Sequence, residues 1–242
     1  LEHLVCCVLD KAKDRRRPGD GPHARFARAL AGRDPASYAL LSLNYDTLLD
    51  DALRAAGLQP DYGLETGRSV ATEPGRPACP EPGRPAGSEP GTPAGPGPGT
   101  PARPLLLKLH GSLNWVHCPA CDHVAVVREQ VAHLLPRPAG LACARCGSRR
   151  LAGVVISPTW LKRYSPGRLT RVFEHALEAV RRARRIVIVG YSMPPADVAV
   201  HHLLRRGLLT RSHPEAPKVE VITRRPSGAV IDRFRRLFGP GV

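Results

Sequence analysis

Ile186-Val187-Ile188-Val189-Gly190-Tyr191-Ser192-Met193-Pro194-Pro195-Ala196-Asp197 reads as an apolar strand that ends in a glycine turn and leads into a helix. The same pattern recurs on both sides of it. Tyr38 to Leu43, Leu105 to Leu109, Val154 to Ile156 and Val219 to Ile222 are short apolar runs of strand type. Between and after them lie amphipathic stretches of helical period. Leu169, Val172, Phe173, Ala176, Leu177 and Val180 form one apolar stripe, and Val230, Ile231, Phe234, Leu237 and Phe238 form another. Gly239 and Pro240 end the second helix. Strands alternating with helices predict an α/β fold built on a Rossmann-like parallel sheet with helices on both faces.

A chain of 242 residues, 42% of them hydrophobic, has enough material for one such domain and a small appendage. The expected division is residues 1–116 and 151–242 as the two parts of the sheet domain, with a small cysteine module over 117–150. Glu73 to Pro104 interrupts the first part with an eight-residue unit written four times: EPGRPACP, EPGRPAGS, EPGTPAGP and GPGTPARP. Proline removes amide donors, glycine raises the entropy cost of order, and almost nothing apolar is present to bury. The expectation there is a disordered insertion of polyproline II character.

The formal charge of +15 raises the question of a nucleic-acid partner. Arginine is scattered, with short runs only at Arg15 to Arg17, around Arg181 to Arg185 and near the C-terminus, and no aromatic residues are interleaved as stacking platforms. Solvated helix faces fit that distribution better than a nucleic-acid surface. No apolar run approaches the ~20 residues needed to cross a bilayer, and Leu1 to Leu9 lacks the charged start and cleavage site of a signal peptide. The reading is a cytoplasmic protein with no membrane partner; a homo-oligomer is admitted.

Seven cysteines in such a chain argue against a disulfide framework. Cys6 and Cys7 fall in an apolar stretch read as helical core, and Cys79 falls in the repeat. The other four form two C-x-x-C pairs, Cys118 with Cys121 and Cys143 with Cys146, at the spacing of a zinc ribbon. Four thiolates close a tetrahedral site, so the expected ion is structural Zn2+. His117 and His123 stand nearby as alternative ligands that four cysteines make unnecessary.

Three segments stand where strands end, the place where open parallel sheets bind ligands. They are Ser42-Leu43-Asn44-Tyr45-Asp46, Lys108-Leu109-His110-Gly111-Ser112 and the segment from Ile186 to Asp197. Taken singly, each has an ordinary explanation. Asn44 and Asp46 suit a helix cap, His110 a structural histidine, and Gly190 a plain turn.

Taken in order, with the two C-x-x-C pairs between the second and third and Val221-Ile222-Thr223 at the end, they resemble the sirtuin layout from its second motif onward. SLNYDTLLDDAL, LLKLHGSLNW, SPTWLK and VGYSMPPAD are closer still to bacterial sirtuin-like domains. The resemblance spans about residues 38 to 225, the repeat apart. It implies NAD as substrate or ligand, with Asn44 holding the nicotinamide ribose or a water beside it, Asp46 near the nicotinamide and His110 as general base. It also implies that Gly190, Tyr191 and Ser192 meet ribose and phosphate, while Thr223 and Arg224 contact the adenosine half. Breaking a nicotinamide–ribose bond builds oxocarbenium character, which calls for oriented polar groups and a base neutral near pH 7.

Two departures shape the expectation. The glycine-rich strand–turn–helix that opens the sirtuin pattern does not precede Ser42, which reads as N-terminal truncation or as loss of NAD binding. The apolar-Phe-Gly-Glu motif of protein deacylases is replaced by Val154-Val155-Ile156-Ser157-Pro158-Thr159-Trp160-Leu161-Lys162-Arg163-Tyr164. That favours water as acceptor: NAD hydrolysis to ADP-ribose and nicotinamide, of the type found in bacterial defence against phage. Protein deacylation is the alternative, and a non-catalytic module that senses NAD or ADP-ribose or binds a protein is the other.

Overall fold

The structure is a computed structural model that describes residues 3–7, 21–64, 103–127, 142–155, 169–224 and 227–239. The repeat up to residue 102 and most of the segment replacing the deacylase motif lie outside the described residues, as do Cys79 and the connection over 8–20.

Five parallel strands make the main sheet: β1 (His3–Cys7), β2 (Tyr38–Ser42), β3 (Leu105–Lys108), β7 (Arg185–Val189) and β8 (Lys218–Ile222), in the order β3-β2-β1-β7-β8. Between them in the chain, β4 (Gly111–His117), β5 (Val124–Val126) and β6 (Ala152–Val155) form a separate three-stranded antiparallel sheet in the order β5-β4-β6. The helices are α1 (Pro22–Ala31), α2 (Leu48–Ala55), α3 (Thr170–Arg182), α4 (Val198–Leu209) and α5 (Gly228–Phe238). None is long and apolar enough to cross a membrane.

The expected α/β architecture is present: α1 packs on α2, and α3 on α4. Connections β1-α1-β2 and β2-α2-β3 step one way across the sheet, and β7-α4-β8 steps the other. Right-handed crossovers therefore place the first pair and α4 on opposite faces. Strand interiors are apolar on both sides, as coverage of both faces demands: Leu40, Leu106, Leu107, Ile186 and Ile188 are all inaccessible. On α3 the buried stripe is Val172, Ala176, Ala179 and Val180. Gly207 lets α4 close on it, because a Cβ there would lie 2.4 Å from Cγ1 of Val180.

Two expectations need correction. The stretch around Cys6 and Cys7, read as helix, is a strand, pairing in parallel with β2 on one side and β7 on the other. Those two strands leave a slot whose backbone groups need partners, and pairing there outweighs a five-residue preference. A strand and a helix thus precede Ser42, joined by the residues 8–20. Val154, expected in the parallel sheet, belongs to β6, which pairs antiparallel with β4. The reason lies at Gly111. Its φ of +77° turns the chain from the end of β3 straight into β4, and a Cβ there would sit 2.0 Å from the Val154 carbonyl oxygen. Only glycine permits that approach.

Candidate functional site

Because all five strands of the main sheet are parallel, β2, β3, β7 and β8 end at one edge. Strand order reverses direction between β1 and β7, so that edge contains a switch point, where open α/β sheets form a ligand crevice. His110, just past β3, spans it. Its Nδ1 is 3.1 Å from the carbonyl oxygen of Leu43 at the end of β2. Its Nε2 is 3.2 Å from Oδ1 of Asp197, at the start of α4. The Tyr191 hydroxyl donates to the other carboxylate oxygen at 3.1 Å. His110 and Asp197 are 4% and 1% exposed. Asp197 was legible only as a helix start, and its partnership with His110 was not expected.

The loop after β2 is pinned by its own carbonyls. Besides Leu43, the Tyr45 carbonyl accepts from the Leu113 amide at 2.7 Å, and the Asp46 carbonyl accepts from Nζ of Lys108. Asn44 is half-buried, its backbone N–H donating to Oγ of Ser42 at 3.2 Å. Asp46 is also half-buried, and its Oδ1 accepts from the Leu48 amide at 3.1 Å at the entry to α2. Its side chain therefore serves the helix start, the ordinary role weighed for it from sequence.

Beneath this loop lies a buried polar network that sequence reading missed. Nζ of Lys108 is 3.1 Å from Oδ2 of Asp50, and both side chains are 1% exposed. The Tyr62 hydroxyl donates to Oδ1 of Asp50 at 2.6 Å and accepts from Arg54 at 2.7 Å. Burial and then the Asp50 carboxylate push the Tyr62 phenol well above its ordinary range, so it stays a donor. Burial lowers the Lys108 ammonium, with Asp50 opposing that shift. Tyr62 also meets Trp115 edge to face, ring centroids 5.4 Å apart. A lysine inside the apolar run Leu105-Leu106-Leu107-Lys108-Leu109 was the available signal, since a charge so placed needs a buried partner.

On the far side of β7, Gly190 takes φ +68° and its amide donates to the Ile222 carbonyl at 2.8 Å. That amide is committed to joining the ends of β7 and β8. Tyr191 points inward to Asp197, while Ser192 is exposed and its carbonyl accepts from Nε of Arg233 at 3.1 Å. Thr223 is half-buried just past β8, and Arg224 is exposed beside it. The structure thus joins His110 to Leu43 and, through Asp197, to Tyr191. Thr223 and Arg224 stand on the same edge, past the outer strand.

The four cysteines come together as the spacing requires. Sγ of Cys118 is 3.5 Å from that of Cys146, Sγ of Cys121 is 3.6 Å from that of Cys143, and all four lie within 4.8 Å of one another. A disulfide needs about 2.05 Å. A ZnS4 tetrahedron with Zn–S near 2.3 Å has edges of about 3.8 Å, and the quartet fits it. Positive φ at Asp122 and Gly147 shapes the knuckle turns. Burial opposes ionisation of Cys118, but the amides of Ala120 and Cys121, with the neighbouring sulfurs, outweigh it and draw the thiol down to about 7. His117 turns to Asp122 instead, its Nε2 2.6 Å from Oδ1, and among the described residues no histidine joins the cluster.

An open parallel α/β sheet with a buried histidine at its switch point and an appended four-cysteine knuckle defines the class. The chain belongs to the SIR2-like domain family, whose model matches residues 39–238. Among solved structures it is similar to one from work on the mechanism and regulation of Sir2 enzymes, at 17% identity and a TM-score of 0.39, covering 89% of this chain and 60% of that one. It is also similar to a Sir2 homolog–NAD complex at 20% identity and a TM-score of 0.40, covering 88% and 62% respectively. The chain thus spans less than two thirds of these relatives' length. No curated protein sequence matches it.

Proposed function

We propose that this domain binds NAD across the switch-point edge and hydrolyses it to ADP-ribose and nicotinamide. The observation that carries the reading is His110 held at that edge, between the Asn44 loop and the turn from Gly190 to Asp197, in a member of the SIR2-like family. The bond between nicotinamide nitrogen and ribose C1′ breaks, its electron pair leaving with nicotinamide. Water adds to C1′ and gives up one proton.

Asn44 orients the ribose or the attacking water, Asp46 lies on the nicotinamide side, and His110 takes part in removing the proton. Gly190 and Ser192 meet ribose and phosphate, and Thr223 and Arg224 receive the adenosine half. Tyr191, being buried, acts through Asp197. The four cysteines hold Zn2+ as a structural ion, remote from the reaction because four sulfurs leave no open position. The activity consumes NAD in the cytoplasm, as in bacterial defence domains that respond to phage.

One observation favours a second reading, a silent NAD- or ADP-ribose-sensing module: both ring nitrogens of His110 already have partners. Product analysis separates the cases. The complete gene product incubated with NAD alone is expected to release nicotinamide and ADP-ribose in equal amounts. Turnover that requires an acyl-lysine peptide and yields acylated ADP-ribose would support deacylation. NAD retained intact by protein that binds it would support the sensing module.

A further inference from the structure

Asp197 occupies the N-cap of α4, where an aspartate ordinarily accepts from amides of the first turn. It makes no such bond. Its carboxylate turns inward, buried, with one oxygen on Nε2 of His110 and the other receiving the Tyr191 hydroxyl. Among the described residues, the groups facing the imidazole are the Leu43 carbonyl from the end of β2 and Asp197 from the start of α4, with Tyr191 behind the carboxylate.

A carbonyl only accepts, and so does a carboxylate. An imidazole between two acceptors carries a proton on each nitrogen, or shares one proton with the carboxylate. In neither case does Nε2 present a free lone pair, so His110 serves as a base only after one of these protons has left. We propose that Asp197 is the positioning residue of His110: it fixes the ring across the crevice and holds a proton at Nε2. The effect on turnover rests on the NAD-hydrolase reading, whereas the proton count at His110 stands apart from it.

The test is nitrogen NMR of protein labelled at histidine, with the His110 signals assigned by their loss in His110→Gln. In the wild type near neutral pH, Nε2 is expected to be protonated. Asp197→Asn replaces the acceptor by an amide able to donate to Nε2, and the ring should become neutral with its proton on Nδ1 alone. Nicotinamide release should fall roughly 100-fold in that variant, the lower range expected for loss of general acid–base function, and its pH profile should change shape. Asp197→Glu should recover part of both. Tyr191→Phe, which removes one donor to the carboxylate, should move the same nitrogen signals less and serves if Asp197→Asn does not fold.

An Nε2 of His110 that carries no proton in the wild type near neutral pH overturns the proposal without any variant. So do identical His110 signals and pH profiles in the wild type and a folded Asp197→Asn protein. If those signals change as expected but no variant or wild type cleaves NAD, the hydrolase reading fails and the His110–Asp197 unit stands. If release depends on His110 but is indifferent to Asp197, the reverse holds.

Discussion

Stripping zinc from the four-cysteine module, or replacing Cys143 with Ser, is expected to unfold that module and to lower the stability of the whole domain. Apart from Trp115, Val124 and Val154, which join the main core, the second sheet buries among the described residues only a small apolar cluster: Val116, Ala125, Val127 and Leu151, with Cys118 and Cys143 themselves. So few side chains hold little against the entropy of ordering the knuckles, and a bound zinc would supply the difference, on the order of 10 kcal/mol in small zinc modules. The loss should reach the functional edge, because β4 begins at Gly111, next to His110, and pairs there with β6. Elemental analysis should find one zinc per chain, and chelator should lower the melting temperature. Acid should release the metal, since protonated thiols cannot bind it. Protein purified without chelator that holds no zinc, or melts the same with and without it, would contradict the assignment.

Lys108→Met is expected to cost about 3–5 kcal/mol, the range for removing one member of a buried ion pair. The Asp50 carboxylate would remain buried with only the Tyr62 hydroxyl to offset its lost hydration. The Asp46 carbonyl would lose its ammonium donor, loosening the loop that carries Asn44. Adding Asp50→Asn to Lys108→Met removes the stranded charge and should return most of the stability without restoring the loop contact. Urea denaturation of both proteins measures the difference. Equal stability of Lys108→Met and wild type would show that the pair is not buried as described.

The site was legible from sequence where chemistry depends on spacing. Two C-x-x-C pairs require only that four sulfurs reach one point, and they do. Asn44, His110 and Gly190 were singled out by a motif order that resembles sirtuin-like domains, and they lie just past the ends of β2, β3 and β7. What escaped depends on partners distant in sequence. Periodicity marked Val154 as strand but carries no record of which sheet it joins; Gly111 decides that. The stretch His3–Cys7 is too short to show a period, and its strand form comes from the slot between β2 and β7. Asp50 sits between Leu49 and Leu53 in α2 and passed as a helix residue, although Lys108, 58 positions away, gives it a buried role. Asp197 was legible only as part of a helix start for the same reason.

The most direct test of the account is nicotinamide release from NAD by the complete gene product, by His110→Ala and by Asn44→Ala, followed by chromatography at matched zinc content and matched melting temperature. Both variants should lose activity by roughly 100-fold or more, the scale of a lost general base or of a key electrostatic contact at the reacting centre. Release by either variant at the wild-type rate would contradict a site built on the edge that His110 spans.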